Sequence, residues 1–182
     1  PLMREVFRPD SGTWSWADHG QIELRVLAHI SKDPVMMQAY ADGQDLHALT
    51  AKAGGVTRDA GKTFNFAEAY QASNKMLARK TGVPIERIQG IRDRLGDLYK
   101  ERTKWILNQK FNHNGEWVED LFGRRMRLPE IVEGMSVNPK AFAAHVGKCA
   151  VNYPIQGTAA TIVKKGMLLI DSQGWDMRIQ LH

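Results

Sequence analysis

The strongest constraint on the fold of this chain is a repeat with a spacing of four residues. The side chains in this repeat are, in order, Arg58, Lys62, Phe66 and Tyr70. Because four residues turn an α-helix by about 400°, they would form one slowly winding stripe along a helix over 57–71. Thr57 is a suitable N-cap, and Asp59 in the first turn suits the positive end of the helix dipole. The repeat therefore predicts a helix with two cations near its N-terminal end and two aromatic rings beyond them.

Two interpretations of the stripe are open when only its spacing is considered. Arg grips phosphate oxygens with a planar fork and Lys supplies a movable charge, so cations followed by rings would suit a ligand with a phosphate tail and a flat ring. An amphipathic helix with an aromatic core face and solvated cations would have the same spacing.

Apolar spacing, capping residues and turn residues predict the other elements in chain order. They are a β-hairpin over 4–18; helices over 21–31, 34–42 and 46–54; a short helix ending at 81; a long helix over 84–110; a β-ribbon over 117–128; a helical region from 138, interrupted or kinked near Pro154; and a strand over 175–182. The core side of the long helix is predicted at Ile85, Ile88, Ile91, Leu95, Leu98 and Trp105. These elements predict an α+β fold that is mostly helical.

The composition limits the class of protein more than its function. With 182 residues, of which 43% are hydrophobic and 25% charged, the chain can form one domain with a substantial core. Its net charge of +5 is compatible with an anionic partner but does not require one. The single cysteine, Cys149, excludes an internal disulfide and fits a reducing compartment. No apolar run approaches the roughly 20 residues of a membrane span, so we expect no membrane association.

Two other stretches flank the stripe and change how it is interpreted. Residues 18–25, DHGQIELR, precede it, and residues 152–160, NYPIQGTAA, follow it. Together with the stripe, and in this order, they resemble the family A DNA polymerases, the class of bacterial DNA polymerase I and its phage relatives. The first stretch resembles motif A of that family, the stripe helix resembles motif B, and the third stretch resembles the helix before motif C. The resemblance covers nearly the whole chain.

The resemblance implies a fingers subdomain inserted in a partial antiparallel-sheet palm. The palm segment with the motif A strand would cover residues 1–19. A helical fingers-type region, together with a helix that borders the palm, would cover 20–170. A palm strand truncated at motif C would cover 171–182. The implied function is template-directed nucleotidyl transfer by a DNA-directed DNA polymerase in DNA replication or repair. Primer–template DNA and deoxynucleoside triphosphates are the implied partners, and no oligomer is implied. The implied location is the cytoplasm of a bacterial or phage-infected cell.

The family uses two divalent metal ions, and Mg²⁺ is the expected ion because it prefers carboxylate, phosphate and water oxygens. By resemblance, Asp18 is the catalytic metal ligand of motif A, and the backbone carbonyl of His19 helps to hold the metal. Without the resemblance, a lone Asp here would be interpreted as a helix N-cap. The second ligand of the family follows a histidine that corresponds to His182. We therefore expect these 182 residues to be a fragment that lacks one metal carboxylate and does not polymerise DNA alone.

The resemblance also assigns side chains around the incoming nucleotide. Glu23 resembles the ribose gate, whose aliphatic stem fills the space of a 2′ hydroxyl and so excludes ribonucleotides. Gln21, two residues earlier, is assigned to the same nucleotide site. His47 resembles a phosphate-contacting histidine in an Asp-Leu-His motif. Few residues separate His47 from Arg58, and this short spacing resembles that of phage-type members more than that of the bacterial repair enzyme.

Within the stripe, the family pattern gives the side chains separate roles. Arg58 and Lys62 would contact the incoming triphosphate, and Lys62 is also counted among the catalytic residues. Phe66 would pack against the sugar and base, and Tyr70 would lie beside the templating position. The spacing agrees with this order, because it places cations where the phosphates would lie and rings where a base could stack.

A second series at steps of four is assigned to DNA: Lys148, Asn152 and Gln156. In the family this helix face contacts minor-groove acceptors, which every base pair offers whatever its identity. On spacing alone, a solvated polar helix face would be the preferred interpretation. His182 is the fourth residue assigned to DNA by the resemblance.

Three positions depart from the family pattern. Lys148 replaces the usual Arg, which keeps the charge but loses the planar fork. Gln71 follows Tyr70 where the family usually has Gly, and His19-Gly20 replaces the common Tyr-Ser. The change at Gln71 concerns both how the stripe helix ends and how the template base is held.

Two alternative functions compete with the polymerase. A single-subunit RNA polymerase shares the palm and the two-metal chemistry, but Glu23 argues against it because such an enzyme must accept a 2′ hydroxyl. A non-catalytic nucleic-acid-binding remnant of a polymerase is the alternative from another class. The intact metal ligand Asp18, both stripe cations and Tyr70 argue against that decay.

Overall fold

The computed structural model describes Gly12, Ser15, residues 17–131, residues 138–175 and Met177. Within these residues the chain forms eight helices and one two-stranded antiparallel sheet, so the mostly helical α+β prediction is confirmed. The helices are α1 (Ile22–Ser31), α2 (Pro34–Ala41), α3 (Leu46–Gly54), α4 (Arg58–Ala69), α5 (Asn74–Thr81), α6 (Ile85–Leu98), α7 (Lys100–Phe111) and α8 (Pro139–Ser172). The strands are β1 (Trp117–Glu119) and β2 (Arg125–Arg127). The hairpin predicted over 4–18 and the strand predicted over 175–182 fall almost entirely outside the described residues.

The helices begin where short polar side chains can accept the first backbone N–H groups. The side chain of Asp33 accepts a hydrogen bond from Met36 N and caps α2. Asp45 caps α3 and Thr57 caps α4 in the same way. Each such cap contributes about 1 kcal/mol of stability. These three starts are predicted from the sequence, and the structure confirms them.

The long helix predicted over 84–110 is wrong in one respect, because it is two helices that meet at Tyr99. The backbone of Tyr99 has φ −108° and ψ 62°, outside the helical region. The new helix, α7, is capped from a distance: Arg102 N donates to Asp33 Oδ2 over 3.0 Å. One buried carboxylate therefore caps both α2 and α7, and it accepts one of the backbone N–H groups that lose their helical partner at the break.

The core face predicted for α6 is confirmed at its centre and wrong at its first residue. Ile88, Ile91 and Leu95 are at most 1% exposed, whereas Ile85 is 53% exposed because it lies at the end of the helix beyond the core. Further along, Leu98 and Trp105 are partly buried and pack against the same core. This core also takes side chains from α1, α3, α4 and α8, so one apolar centre supports every helix that carries a candidate site residue.

Helix α8 continues through Pro154 for 34 residues, so an interruption at this residue is wrong, whereas a kink there stays a prediction. A proline removes one backbone donor and normally disturbs a helix. Here Pro154 and its neighbour Ile155 are buried, and Val151 one turn earlier is also buried. Tertiary packing of these side chains therefore holds the helix through the proline.

Helices α3 and α4 approach each other very closely at Gly61. A Cβ atom built on Gly61 would lie 2.6 Å from the carbonyl oxygen of His47 and 2.9 Å from the backbone nitrogen of Ala51. No other residue leaves room for this approach, since real Cβ atoms do not come within 3.0 Å of such neighbours. Gly61 thus brings the helix with His47 against the helix with the stripe.

The β-ribbon packs on α8 through a second, smaller apolar cluster of Val118, Leu128, Val146, Cys149 and Ala150. Its turn is closed by Asp120, whose Oδ1 accepts hydrogen bonds from Phe122 N and Arg124 N. The ribbon is also tied to α8, because Leu121 N donates to Thr158 Oγ1 and Thr161 Oγ1 donates to Asp120 Oδ2.

Candidate active site

The stripe on α4 faces outward rather than into the core. Arg58 and Lys62 are exposed, Tyr70 is 38% exposed, and only Phe66 packs partly against the core. The buried side of α4 is formed by Phe64 and by small residues such as Ala60, Gly61 and Ala67. The aromatic core face is therefore found only in part, at Phe66, and the other three side chains of the stripe are accessible to a ligand.

At the N-terminal end of the stripe, Arg58 is paired with a carboxylate. Its Nε donates to Oδ2 of Asp45, the residue that caps α3, and the two side chains are 56% and 35% exposed. This hydrogen bond from Arg58 is the largest reason that the pKa of Asp45 lies below its ordinary value. A pair this exposed contributes at most about 1 kcal/mol, so a phosphate could compete for Arg58.

His47 lies beside the stripe and is only 3% exposed. Its ring centroid is 6.0 Å from that of Phe66, with the planes tilted by 41°. Burial lowers the pKa of His47 below its ordinary value, and the charges of Arg58 and Lys62 lower it further, while Asp45 opposes them. The ring is therefore neutral at physiological pH, and it lies close enough to both stripe cations for their charges to affect its pKa.

At the other end of the stripe, Tyr70 joins three helices. Its hydroxyl donates to Glu23 on α1 and lies 2.7 Å from each carboxylate oxygen. Burial raises the pKa of Tyr70, the bond to Glu23 raises it further, and a hydrogen bond from Gln156 on α8 lowers it. The ring of Tyr70 also stacks on Phe66, with centroids 6.4 Å apart. Residues far apart in sequence thus meet at one hydroxyl group.

The chain leaves α4 through Gln71 in a left-handed conformation with φ 51°. Its side-chain amide donates to the carbonyl oxygen of Glu68 over 2.7 Å and so ties the last turn of the helix. Glu68 in turn lies 3.2 Å from Nε of Arg92 on α6. The departure from the family pattern at Gln71 is therefore accommodated, since the chain keeps a conformation that glycine adopts most easily.

Gln21 also has a left-handed conformation, with φ 58°, and its Oε1 accepts a hydrogen bond from the hydroxyl of Tyr40 over 3.1 Å. Arg25 covers the ring of Tyr40 at 4.4 Å and donates from Nε to the carbonyl oxygen of Gly20. These contacts fix the loop that leads into α1. Sequence reasoning missed Arg25 and Tyr40, whose only signal was a cation and an aromatic ring on neighbouring helices.

Asp18 and His19 precede this loop and are both exposed. Asp18 is not the N-cap of α1, because Gln21 holds that position without a side-chain cap. The N-cap interpretation is therefore wrong. Asp18 and His19 instead line an open cavity of about 470 Å³, whose other walls include Leu121 and Ile162.

The oxygens of Asp18 and His19 fit a hard cation only in part. A carboxylate and a backbone carbonyl are donors that Mg²⁺ accepts, and Mg²⁺ often takes one or two carboxylates together with phosphates and water. The carbonyl oxygen of His19 already accepts from Ile22 N over 3.2 Å, which leaves one lone pair. Across the described part of the chain, no group of three His, Cys, Asp or Glu side chains is arranged to hold a metal ion.

The polar series on α8 lies partly at the surface of the molecule. Lys148 and Gln156 are exposed and Asn152 is half-buried, so the series is neither in the core nor fully in solvent. Gln156 reaches Tyr70, which connects this face with the stripe. His182 lies outside the described residues. Among the helices that the structure describes, none is long and apolar enough to cross a membrane.

Comparison with known proteins gives the family of the chain. The sequence model of DNA polymerase family A matches residues 2–182. DNA polymerase I of Deinococcus radiodurans is 34% identical over 195 residues, which cover 99% of this chain and 20% of that protein. The thermostable DNA polymerase I of Thermus aquaticus is 33% identical over 202 residues, covering 100% of this chain and 24% of that protein. The chain thus spans about a fifth to a quarter of the length of these relatives.

A solved structure supports the same assignment. The polymerase domain of Pol1 from M. smegmatis, in complex with DNA primer–template and dNTP, superposes with a TM-score of 0.73. The two sequences are 28% identical, and the match covers 91% of this chain and 31% of the M. smegmatis chain. The similarity therefore concerns both the sequence and the arrangement of the helices. This chain belongs to DNA polymerase family A.

Proposed function

We propose that this chain provides the nucleotide-binding and template-facing part of a DNA-directed DNA polymerase. In this proposal, 1–19 and 171–182 belong to the palm, and 20–170 forms the fingers and the helix that borders the palm. The proposed ligands are a DNA primer–template and a dNTP, the two that the M. smegmatis polymerase domain binds in its complex. The observation that carries the proposal is the hydrogen bonding of Tyr70 to Glu23, with Gln156 beside it, because it would join the proposed sugar gate to the helix proposed to face the template.

The first function of this junction is to select the sugar. Glu23 lies in the first turn of α1, and both of its carboxylate oxygens face the hydroxyl of Tyr70. The carboxylate is therefore held in place, and its aliphatic stem becomes a fixed wall. A fixed wall can exclude a 2′ hydroxyl, whereas a mobile side chain would move aside. This supports Glu23 as the ribose gate.

The N-terminal half of the stripe would bind the triphosphate. Arg58 and Lys62 are one helical turn apart and exposed, and His47 lies beside them at the close contact made by Gly61. On binding, a phosphate would replace Asp45 as the partner of Arg58. Lys62 would supply a second positive charge as negative charge develops on the transferred phosphoryl group.

Asp18 would hold Mg²⁺ through its carboxylate, with the remaining lone pair of the His19 carbonyl as a further donor. When bound, a pair of such ions activates the primer 3′ hydroxyl and neutralises charge on the phosphates. Asp18 lies three residues before Gln21, the N-cap of α1, the helix that also carries Glu23. The proposed metal ligand and the proposed sugar gate are thus close in sequence, and α1 begins between them.

The face formed by Lys148, Asn152 and Gln156 would lie along the primer–template minor groove. Its polar side chains are accessible on a helix whose other side is buried in the core. His182 is proposed to contact the same DNA by resemblance alone. Because minor-groove acceptors are present in every base pair, this face would test the shape of the pair rather than its sequence.

Replacement of Glu23 tests the proposed function. In a polymerase that contains this chain, Glu23→Ala should lower the preference for dATP over ATP, expressed as a ratio of kcat/KM values in primer extension, by about tenfold or more. Glu86→Ala is the matched control, because Glu86 is an exposed glutamate in the first turn of α6, far from Tyr70 in sequence. The control should leave the ratio unchanged. An unchanged ratio in Glu23→Ala would refute the gate and leave Glu23 an ordinary helix residue, whereas a preference for ATP over dATP in the unmodified enzyme would favour an RNA polymerase relative.

A further inference from the structure

Four buried polar side chains form a hydrogen-bonded series that ends at His47. Tyr99, Thr50, Asn65 and His47 are 0%, 0%, 2% and 3% exposed, respectively. The hydroxyl of Tyr99 lies 2.8 Å from Thr50 Oγ1, which lies 2.9 Å from Asn65 Oδ1. Asn65 Nδ2 lies 3.1 Å from His47 Nδ1. The series therefore leads from the break between α6 and α7 to the side of the stripe.

The direction of this series follows from the number of protons available. The hydroxyl of Thr50 has one proton, and two of its neighbours, Asn65 Oδ1 and the carbonyl oxygen of Leu46, can only accept. Both oxygens lie 2.9 Å from Thr50 Oγ1, so its one proton is shared between them, and Tyr99 must donate its own proton to Thr50. With its oxygen directed at Thr50, the amide of Asn65 presents Nδ2, a donor, to His47.

A donor at this point determines the state of the imidazole ring. His47 Nδ1 must accept from Asn65, so it carries no proton, and the neutral ring then carries its proton on Nε2. A charged ring would place an N–H group against the N–H group of Asn65. No hydrogen bond between described residues uses Nε2, which leaves this N–H for a ligand.

The charges around His47 favour the same neutral state. From α4, Arg58 and Lys62 face the ring and lower its pKa in addition to the effect of burial, and Asp45 from the start of α3 opposes them. Tyr99 lies at the junction of α6 and α7. Burial raises the pKa of Tyr99, so its hydroxyl stays neutral and can donate a hydrogen bond. The two stripe cations already supply positive charge, and a neutral ring adds a directed donor beside them.

We propose that Asn65 is a positioning residue for nucleotide binding: it holds His47 as the neutral Nε2–H tautomer, which donates one hydrogen bond to a phosphate of the incoming nucleotide. This inference rests on the proposed function and specifies how the site reads the triphosphate. Thr50 and Tyr99 act through Asn65, since they set which end of its amide faces the ring. The helix break at Tyr99 thereby contributes to the site.

The tautomer can be measured without any nucleotide. In the chain labelled with ¹⁵N-histidine, long-range ¹H–¹⁵N correlation spectra identify which ring nitrogen is protonated, and His47→Gln identifies the signals of this ring. We expect the Nε2–H tautomer, with a pKa below the ordinary value of about 6.5. An Nδ1–H tautomer in the unmodified chain would overturn the inference.

Two substitutions test whether Asn65 causes this state. In Asn65→Asp the carboxylate accepts from Nδ1–H, so the ring should change to the Nδ1–H tautomer and the pKa of His47 should rise by about one unit or more. Thr50→Val removes the hydroxyl that orients the amide and should give a mixture of tautomers, whereas Thr50→Ser keeps the hydroxyl and should keep Nε2–H. An unchanged ring in both Asn65→Asp and Thr50→Val would overturn the role of Asn65.

Binding of dATP and of inorganic triphosphate then tests the phosphate contact. At pH 8, Asn65→Asp leaves Nε2 without a proton and should weaken binding about tenfold, and at pH 6 the protonated ring should restore most of it. His47→Gln has no ring to titrate, so its change in affinity between pH 8 and pH 6 gives the background. The affinity of the unmodified chain should change with pH no more than that of His47→Gln. If the unmodified chain has the Nε2–H tautomer but binds neither ligand, the proposed nucleotide site fails and the phosphate contact fails with it, while the tautomer result stands.

Discussion

Replacement of Gly61 by alanine should loosen the contact between α3 and α4, on which the proposed nucleotide site depends. The added Cβ would lie 2.6 Å from the carbonyl oxygen of His47 and 2.9 Å and 3.0 Å from the backbone nitrogen and Cβ of Ala51. These atoms belong to the backbone of α3 or are fixed to it, so no flexible side chain can move aside. Helix α3 must therefore shift away from α4, and His47 must shift with it.

Two opposing effects determine the size of the change. Alanine stabilises a helix interior by about 0.8–1.0 kcal/mol relative to glycine. Overpacking of a well-packed contact costs about 1–3 kcal/mol, and the upper end applies here because backbone atoms are the ones that clash. We expect Gly61→Ala to be destabilised by about 1–2 kcal/mol, which lowers Tm by about 2–8 °C in a chain of this size.

Gly90→Ala provides the matched control for this prediction. Gly90 lies in the interior of α6, where an added Cβ meets only the end of the Arg94 side chain at 3.9 Å. The Gly90→Ala variant should gain only the higher helix propensity of alanine, which should raise Tm by about 2–4 °C. Thermal and urea unfolding of both variants, with dATP titration to follow the site, decide the matter. A Gly61→Ala variant as stable as Gly90→Ala would show that the close contact is not needed.

Three further substitutions address the other parts of the molecule. Asp18→Asn, in a polymerase that contains this chain, should abolish nucleotide incorporation in primer extension while a gel shift still shows primer–template binding; near-normal extension would exclude a metal-ligand role. Phe66→Tyr should raise the acceptance of dideoxy terminators in competition with normal nucleotides, because a phenol can supply a polar contact in place of the missing 3′ hydroxyl, and unchanged discrimination would remove Phe66 from the site. Asp33→Ala removes the cap of two helices and should destabilise the chain by about 2–4 kcal/mol in urea unfolding; a loss below about 1 kcal/mol, the value of a single cap, would contradict the double cap.

The parts of the fold predicted from the sequence are those with local causes. Asp45 and Thr57 lie next to the helices they cap, and a spacing of three or four residues is enough to detect an amphipathic face. The break at Tyr99 has no such local cause. It depends on a carboxylate at Asp33, 69 residues before Arg102, which only the folded chain brings to the start of α7.

The candidate site divides in the same way. Family motifs identify Glu23, Tyr70 and Gln156, but neither their spacing nor their identity shows that all three meet at one hydroxyl group. Gly61 and Asn65 were missed altogether, because they lie on the buried side of α4. A small residue and a polar residue among apolar ones were the only signals, and both have common structural explanations.

The left-handed residue after Tyr70 has a consequence for motion. A glycine at this point could leave its conformation at little cost and let the end of α4 act as a hinge. Gln71 is held by its own amide on the carbonyl of Glu68, so the joint is stiff. Movement of the chain at this joint must break that hydrogen bond, which a glycine would not make. We therefore expect the end of α4 to be a stiffer joint with Gln71 than with glycine.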